Sequence, residues 1–145
     1  MGLFSFLKGS GDKEIDIAAE NKDNANNLIN TVKNYGFDIE DFDIIISNDT
    51  ATVWGTVADQ ATREKVLLTV GNTKGIANVD DKMTTKVPTP EAKMHTVVSG
   101  ESLSLIAKKY YGDPMKYNMI FEANNPPLTS PDKIYPGQVL RIPEQ

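Results

Sequence analysis

His95 is the only histidine in the chain, and there is no cysteine. Thiolate metal sites, disulfides, cysteine nucleophiles and multi-histidine metal sites are therefore excluded. A hydroxyl nucleophile needs a base, an orienting carboxylate and an oxyanion hole together. His95 has the hydroxyls of Thr96 and Ser99 nearby, but nothing in the sequence supplies the rest. It is expected to be a surface or strand-edge residue, and catalysis is not expected of it. Asp38, Glu40, Asp41 and Asp43 form an acidic cluster. It lacks the glycine and the twelfth-position glutamate of a calcium loop, so a solvated face is expected. Asp80-Asp81 is read the same way. Gly71-Asn72-Thr73-Lys74-Gly75-Ile76 is a different kind of segment. It follows a helix, whose last carbonyls lack intrahelical partners and carry partial negative charge. Glycines allow such a loop to turn its carbonyls inward, toward a cation or simply into an ordinary cap.

The elements around these residues follow from periodicity. Ala25, Leu28, Ile29, Val32 and Tyr35 have helical spacing and stop before Gly36. Phe42 to Ser47 and Ala51 to Val57 flank Asn48-Asp49-Thr50 as a β-hairpin that carries Trp54, which is expected to pack and not to stack on a ligand. Asp59 can cap a helix over 60–70 with Ala61, Val66, Leu67 and Val70 inward and Gly71 closing it. A strand follows from Gly75 to about Val87, giving the order α-β-β-α-β.

After Pro88-Thr89-Pro90 the pattern changes. Met94 to Val98 reads as a strand, and Ser99 to Ser102 as a turn and helix cap. Leu103, Ile106, Ala107 and Tyr110 form a helical stripe stopped by Gly112. Asp113-Pro114 starts a second helix with Tyr117, Ile120, Phe121 and Ala123. A loop rich in Asn and Pro leads to Pro136-Gly137 and a strand over 138–142, giving β-α-α-β. The fold class expected is α+β, in two small domains. The boundaries are 1–20 for an N-terminal segment packing on the first domain, 21–88 for that domain, 89–93 for a proline linker and 94–145 for the second domain.

The chain has 145 residues, 39% of them hydrophobic and 24% charged. Residues 1–88 carry 14 acids and 9 bases, and residues 89–145 carry 6 of each, so the net charge of -5 resides in the first part. That balance argues against nucleic-acid binding, which needs clustered cations, and against a polybasic membrane contact. Leu3 to Leu7 is too short for a secretory core and is preceded by no cation, and Phe6 breaks the myristoylation pattern. No stretch approaches the roughly 20 apolar residues of a membrane span. A cytoplasmic monomer without stable membrane insertion is expected, its two thin cores free to move unless something bridges them.

Residues 95–143 resemble the LysM module through His95-Thr96-Val97-Val98-Ser99-Gly100-Glu101-Ser102-Leu103, Ile106-Ala107, Tyr111-Gly112, Ile120 to Asn124 and Ile134 to Pro143. Residues 22–87 resemble the BON domain through Val53-Trp54-Gly55-Thr56-Val57 and Gly75 to Asp81. The whole arrangement is similar to small bacterial BON–LysM potassium-binding proteins. That resemblance implies K+ as the bound ion, an ion-sensing or buffering role, and compaction of the two domains on binding. It implies main-chain oxygens of Leu7, Ser10, Asp12, Gly71, Thr73 and Ile76 as ligands, although the leader departs from the family pattern at Ser10 and Asp12. A cage of neutral carbonyls suits a large, weakly hydrated cation. The alternative implied by the LysM resemblance is binding of peptidoglycan fragments or other N-acetylglucosamine chains by Gly100, Glu101, Ser102, Leu103, Asn124 and Asn125. A further alternative is weak membrane association, since BON domains resemble phospholipid-attaching modules.

Overall fold

The computed structural model describes residues 2–5, 21–73, 75–125 and 128–144. Strand β1 (Gly2–Ser5) is followed by helix α1 (Asn21–Asn34), strands β2 (Glu40–Ser47) and β3 (Thr50–Asp59), helix α2 (Gln60–Gly71) and strand β4 (Asn78–Val87). These build a four-stranded sheet in the order β1-β4-β3-β2. The hairpin β2–β3 is antiparallel, with Ile44 opposite Val53 and Ser47 opposite Thr50. Helix α2 carries the chain over so that β4 runs parallel to β3. Strand β1 adds to the far side of β4, antiparallel, with Ser5 opposite Asn78.

Alternation along the strands divides the sheet into two faces. Ile44 and Ile46, Val53 and Val57, and Val79 and Met83 are buried with Leu28 and Val32 of α1 and Val66, Leu67 and Val70 of α2. Each large aliphatic buried here contributes about 1.5–3 kcal/mol. Half-buried Trp54 sits one residue out of phase with Val53, on the sheet face away from the helices. The acidic cluster stays exposed, along the start of the edge strand β2. Asp41 adopts a left-handed φ of 54° at a register irregularity between Glu40 and Asp43. Glu40 pairs with Lys86 at 2.7 Å.

One expectation about charge is corrected. Asp81 is not solvated: it is buried, takes a forked contact from Arg63 at 2.9 and 2.7 Å, and accepts the Met83 N–H at 2.9 Å. A buried carboxylate is tolerated when it is paired and hydrogen-bonded in this way. Only Asp80 remains in reach of solvent, beside Lys82 at 3.8 Å.

The second unit consists of β5 (Lys93–Thr96), α3 (Leu103–Tyr111), a 3-10 turn at Pro114–Lys116, α4 (Tyr117–Ala123) and β6 (Val139–Ile142). Strands β5 and β6 pair antiparallel, with His95 opposite Leu140. Ser102 caps α3 by accepting the Leu105 N–H, and Gly112 ends it in the left-handed region at φ 75°. Leu103, Ile106, Ala107, Ile120, Leu128, Leu140 and Ile142 form a core of their own.

The two cores are not independent. Val139 of β6 is buried in the first core, and Met94 of β5 packs against it. Helix α2 shows why. Leu68 and Thr69 are buried as well as Val66, Leu67 and Val70, so residues 66–71 have no solvent face. The sheet covers one side and β6 lies against the helix from the second unit. Ala61, expected inward, is only half-buried, while Gln60 and Glu64 are buried. The expected one-faced helix is thus replaced by a helix enclosed from both sides, and its contacts with β6 bridge the two cores.

Candidate functional site

Helix α2 delivers the loop of interest. Asp59 starts the helix: its carboxylate accepts the Thr62 N–H at 2.9 Å and the Thr62 hydroxyl at 2.8 Å, bonds that hold its pKa below the usual carboxylate range. The helix ends one residue later than expected. Gly71 is still helical and Asn72 is the C-cap, donating its N–H to Leu68 O at 2.8 Å. Thr73 then donates its N–H to Val70 O and its hydroxyl to Thr69 O at 2.9 Å. Thr73 O accepts the Ile76 N–H at 3.1 Å, closing a tight turn. Gly75 supplies the φ of 97° that this turn requires, a value L side chains rarely adopt. Ala77 and Asn78 donate to Asp49 O in the hairpin turn, which anchors the far end of the loop.

Gly71, Thr73 and Ile76 are thus brought together in one buried loop. A carbonyl oxygen has two lone pairs, so Thr73 O retains capacity beyond its bond from Ile76. Leu7, Ser10 and Asp12 lie outside the described residues. Strand β1 nevertheless ends at Ser5 opposite Asn78, two residues beyond Ile76. Among the described residues no group of three or more His, Asp or Glu side chains is placed to hold a metal.

The loop also touches the second unit, through residues that sequence reasoning did not single out. The Asn72 side chain donates to Val139 O and accepts the Val139 N–H, both at 2.9 Å. Tyr135 donates its hydroxyl to Asn72 O at 3.4 Å. Two turns back on α2, Glu64 is 1% exposed and accepts from Arg141 Nε at 2.7 Å, Gln60 Nε2 at 3.0 Å and the Ala92 N–H at 3.1 Å. Arg141 also donates to Ala123 O at 2.9 Å. Lys65 donates to Asn125 O at 3.0 Å, and burial, with Arg141 nearby, pushes its pKa down. The signal for these contacts was the apolar run Val66-Leu67-Leu68-Thr69-Val70-Gly71, which leaves no polar stripe and so demands a second partner surface.

The residues proposed for sugar binding are dispersed in role. Gly100 is exposed, and Ser102 is committed to the cap of α3. Leu103 is buried in the core. Asn124 is 2% exposed; its side chain accepts the Arg141 N–H at 2.8 Å and donates to Arg141 O at 2.9 Å and Ile120 O at 2.7 Å. Asn125 is exposed, with its carbonyl taken by Lys65. Glu101 accepts the Val98 N–H and bonds His95 Nε2, each at 2.8 Å. Burial pushes the Glu101 pKa up, but these two partners outweigh it and hold the pKa below its ordinary value. His95 is on a strand, as expected, but it is buried, with Tyr110 on Nδ1 at 2.9 Å. It is enclosed by its partners and does not lie on the surface.

The BON domain family matches residues 22–87 and the LysM domain family residues 95–143. The chain is therefore a BON–LysM protein of the α+β class. It is 46% identical over 149 aligned positions, spanning all of both chains, to a protein of Escherichia coli O6:H1 named potassium binding protein Kbp, and it belongs to that protein's family. A Deinococcus radiodurans protein, described only as uncharacterized, is 54% identical over 50 residues, which is 34% of this chain and 19% of that one.

Proposed function

We propose that the chain is a K+-binding protein acting as an ion sensor or buffer in the cytoplasm, and not an enzyme. The observation that carries this reading is the full-length identity to a relative named for potassium binding. The ion would sit on the loop after α2, held by main-chain oxygens of Gly71, Thr73 and Ile76. The leader would complete the shell through Leu7, Ser10 and Asp12. The β1 register supports this, because the chain leaves the sheet at Ser5 beside the strand that the loop feeds. At roughly 3.3–3.6 Å per residue, a few residues suffice to reach the loop. Helix-end carbonyls carry partial negative charge without the full charge that would favour small divalent ions. The contact between loop and β6 supports ion-dependent compaction of the two domains.

Calorimetry of the metal-stripped protein against potassium, rubidium, sodium, magnesium and calcium chlorides at matched ionic strength tests this. Heat from potassium and rubidium well above that from sodium is expected. Divalent binding with no potassium heat would overturn it.

One observation favours a second ligand class at the turn between β5 and α3. Val98 and Leu105 are 58% and 54% exposed on either side of the Gly100 turn, an apolar pair suited to a sugar face. Binding to N-acetylglucosamine oligomers is the check. Asn124, committed to Arg141, would contribute shape there and no side-chain bond.

A further inference from the structure

Asn72 occupies an unusual position. Its backbone lies between Gly71 and Thr73, while its side chain spans the N–H and C=O of one residue on β6. It is 8% exposed, so neither bond is readily replaced by water. Its own carbonyl takes the Tyr135 hydroxyl. The φ and ψ of Asn72, -79° and 2°, set the direction in which the following peptide leaves the helix. A side chain pinned to Val139 therefore restricts that peptide, and with it the aim of the Thr73 carbonyl.

We propose that Asn72 is the positioning residue that couples ion binding on the loop to docking of the LysM domain. This rests on the loop being the K+ site. The amide holds the loop in one arrangement when β6 is docked and releases it when β6 withdraws. Linkage makes the effect reciprocal: whatever docking adds to ion affinity, the ion adds to docking. The Glu64–Arg141 pair also joins the domains, but it lies two turns from the loop and holds no loop backbone. Asn72 is the residue at which the two contacts meet.

The test uses the full chain and its Asn72→Ala and Asn72→Ser variants. The serine keeps a polar group at the buried position but cannot span both backbone groups of Val139, so it serves if the alanine variant fails to fold. Three readouts are taken: potassium chloride calorimetry, the melting temperature in potassium minus that in sodium, and hydrogen exchange at the Val139 amide. Potassium binding about tenfold weaker is expected, the loss that two neutral hydrogen bonds coupled to the ion would produce. The potassium-minus-sodium melting increment should shrink with it, and Val139 should exchange faster. A merely structural asparagine would lower both melting temperatures equally and leave the increment unchanged, and that result would overturn the proposal. So would unaltered potassium affinity in either folded variant. If the parent chain gives no potassium heat, the ion reading falls and the coupling falls with it; potassium heat in the parent with unchanged variants removes the coupling alone.

Discussion

Asn72 and Asn124 make the same arrangement in two different places. Each is the C-cap of a helix, and each uses its side-chain amide to bond both backbone groups of a residue on β6. The residues they hold, Val139 and Arg141, are two apart, so their backbone groups point to the same side of the strand. Asn124 belongs to the same domain as β6; Asn72 belongs to the other. If Asn124 is lost, its backbone partners are stranded unless the LysM domain unfolds. If Asn72 is lost, the domains can separate and water can take its place. The cost of the second is therefore limited by the free energy of docking, and the cost of the first is not.

That difference ranks the expected effects. Asn124→Ala leaves the N–H and C=O of Arg141 and the Ile120 carbonyl unsatisfied in a buried site, and a loss of about 3 kcal/mol is expected for several orphaned groups. Chemical denaturation should show it as unfolding of the LysM domain. A cost no greater than that of Asn72→Ala would break the comparison.

Glu64→Ala comes next. Removing one partner of a buried ion pair costs about 3–5 kcal/mol when the other charge stays buried. Here Arg141 can reach solvent by undocking, so the expected loss is smaller, about 2 kcal/mol. It should appear in small-angle scattering as a larger radius of gyration, with both domains still folded. An unchanged radius together with a full loss of stability would show that the domains cannot part.

The smallest effect is that of pH. Amides do not titrate, but Glu101 does, and its pKa is depressed in the folded protein. A depressed carboxylate contributes stability that is fully present above its unfolded pKa, near 4.3, and is lost as pH falls through its lower folded value. Glu101→Gln should therefore lower neutral LysM stability by less than about 1 kcal/mol and flatten the acid limb below about pH 4, parent and variant converging at low pH. A melt series from pH 2 to 7 reads this directly, and an identical acid limb in parent and variant would remove Glu101 from the account.

Much of the framework was legible because it rests on local pattern. The stripe from Ala25 to Tyr35, the Asn48-Asp49-Thr50 turn, the Asp59 and Ser102 caps and the Gly112 stop are each written within a few residues. Strand β1 was not, because four residues become a strand only by finding β4 far along the chain. Gly71 looked like the natural helix end, yet the cap passed to Asn72 because β6 supplies partners for its side chain. Glu64, Arg141 and Asn72 were missed for one reason: each has its partner in the other domain. A polar residue beside an apolar run looks solvated until the second surface is known. The loop Gly71 to Ile76 was legible as a place where carbonyls gather, but not as a place watched by another domain.

The arrangement of β6 has one more consequence. A two-stranded sheet normally leaves each strand with a row of unpaired backbone groups, an invitation to another chain to pair there and begin a fibre. Here the Val139 and Arg141 positions on the open side of β6 are already occupied by two side chains that imitate a neighbouring strand without extending one. An asparagine amide accepts and donates as a peptide does, but it ends where the next residue would begin. The sheet is thus terminated by chemistry that cannot propagate, and the protein gains protection from self-association at the position where its domains meet.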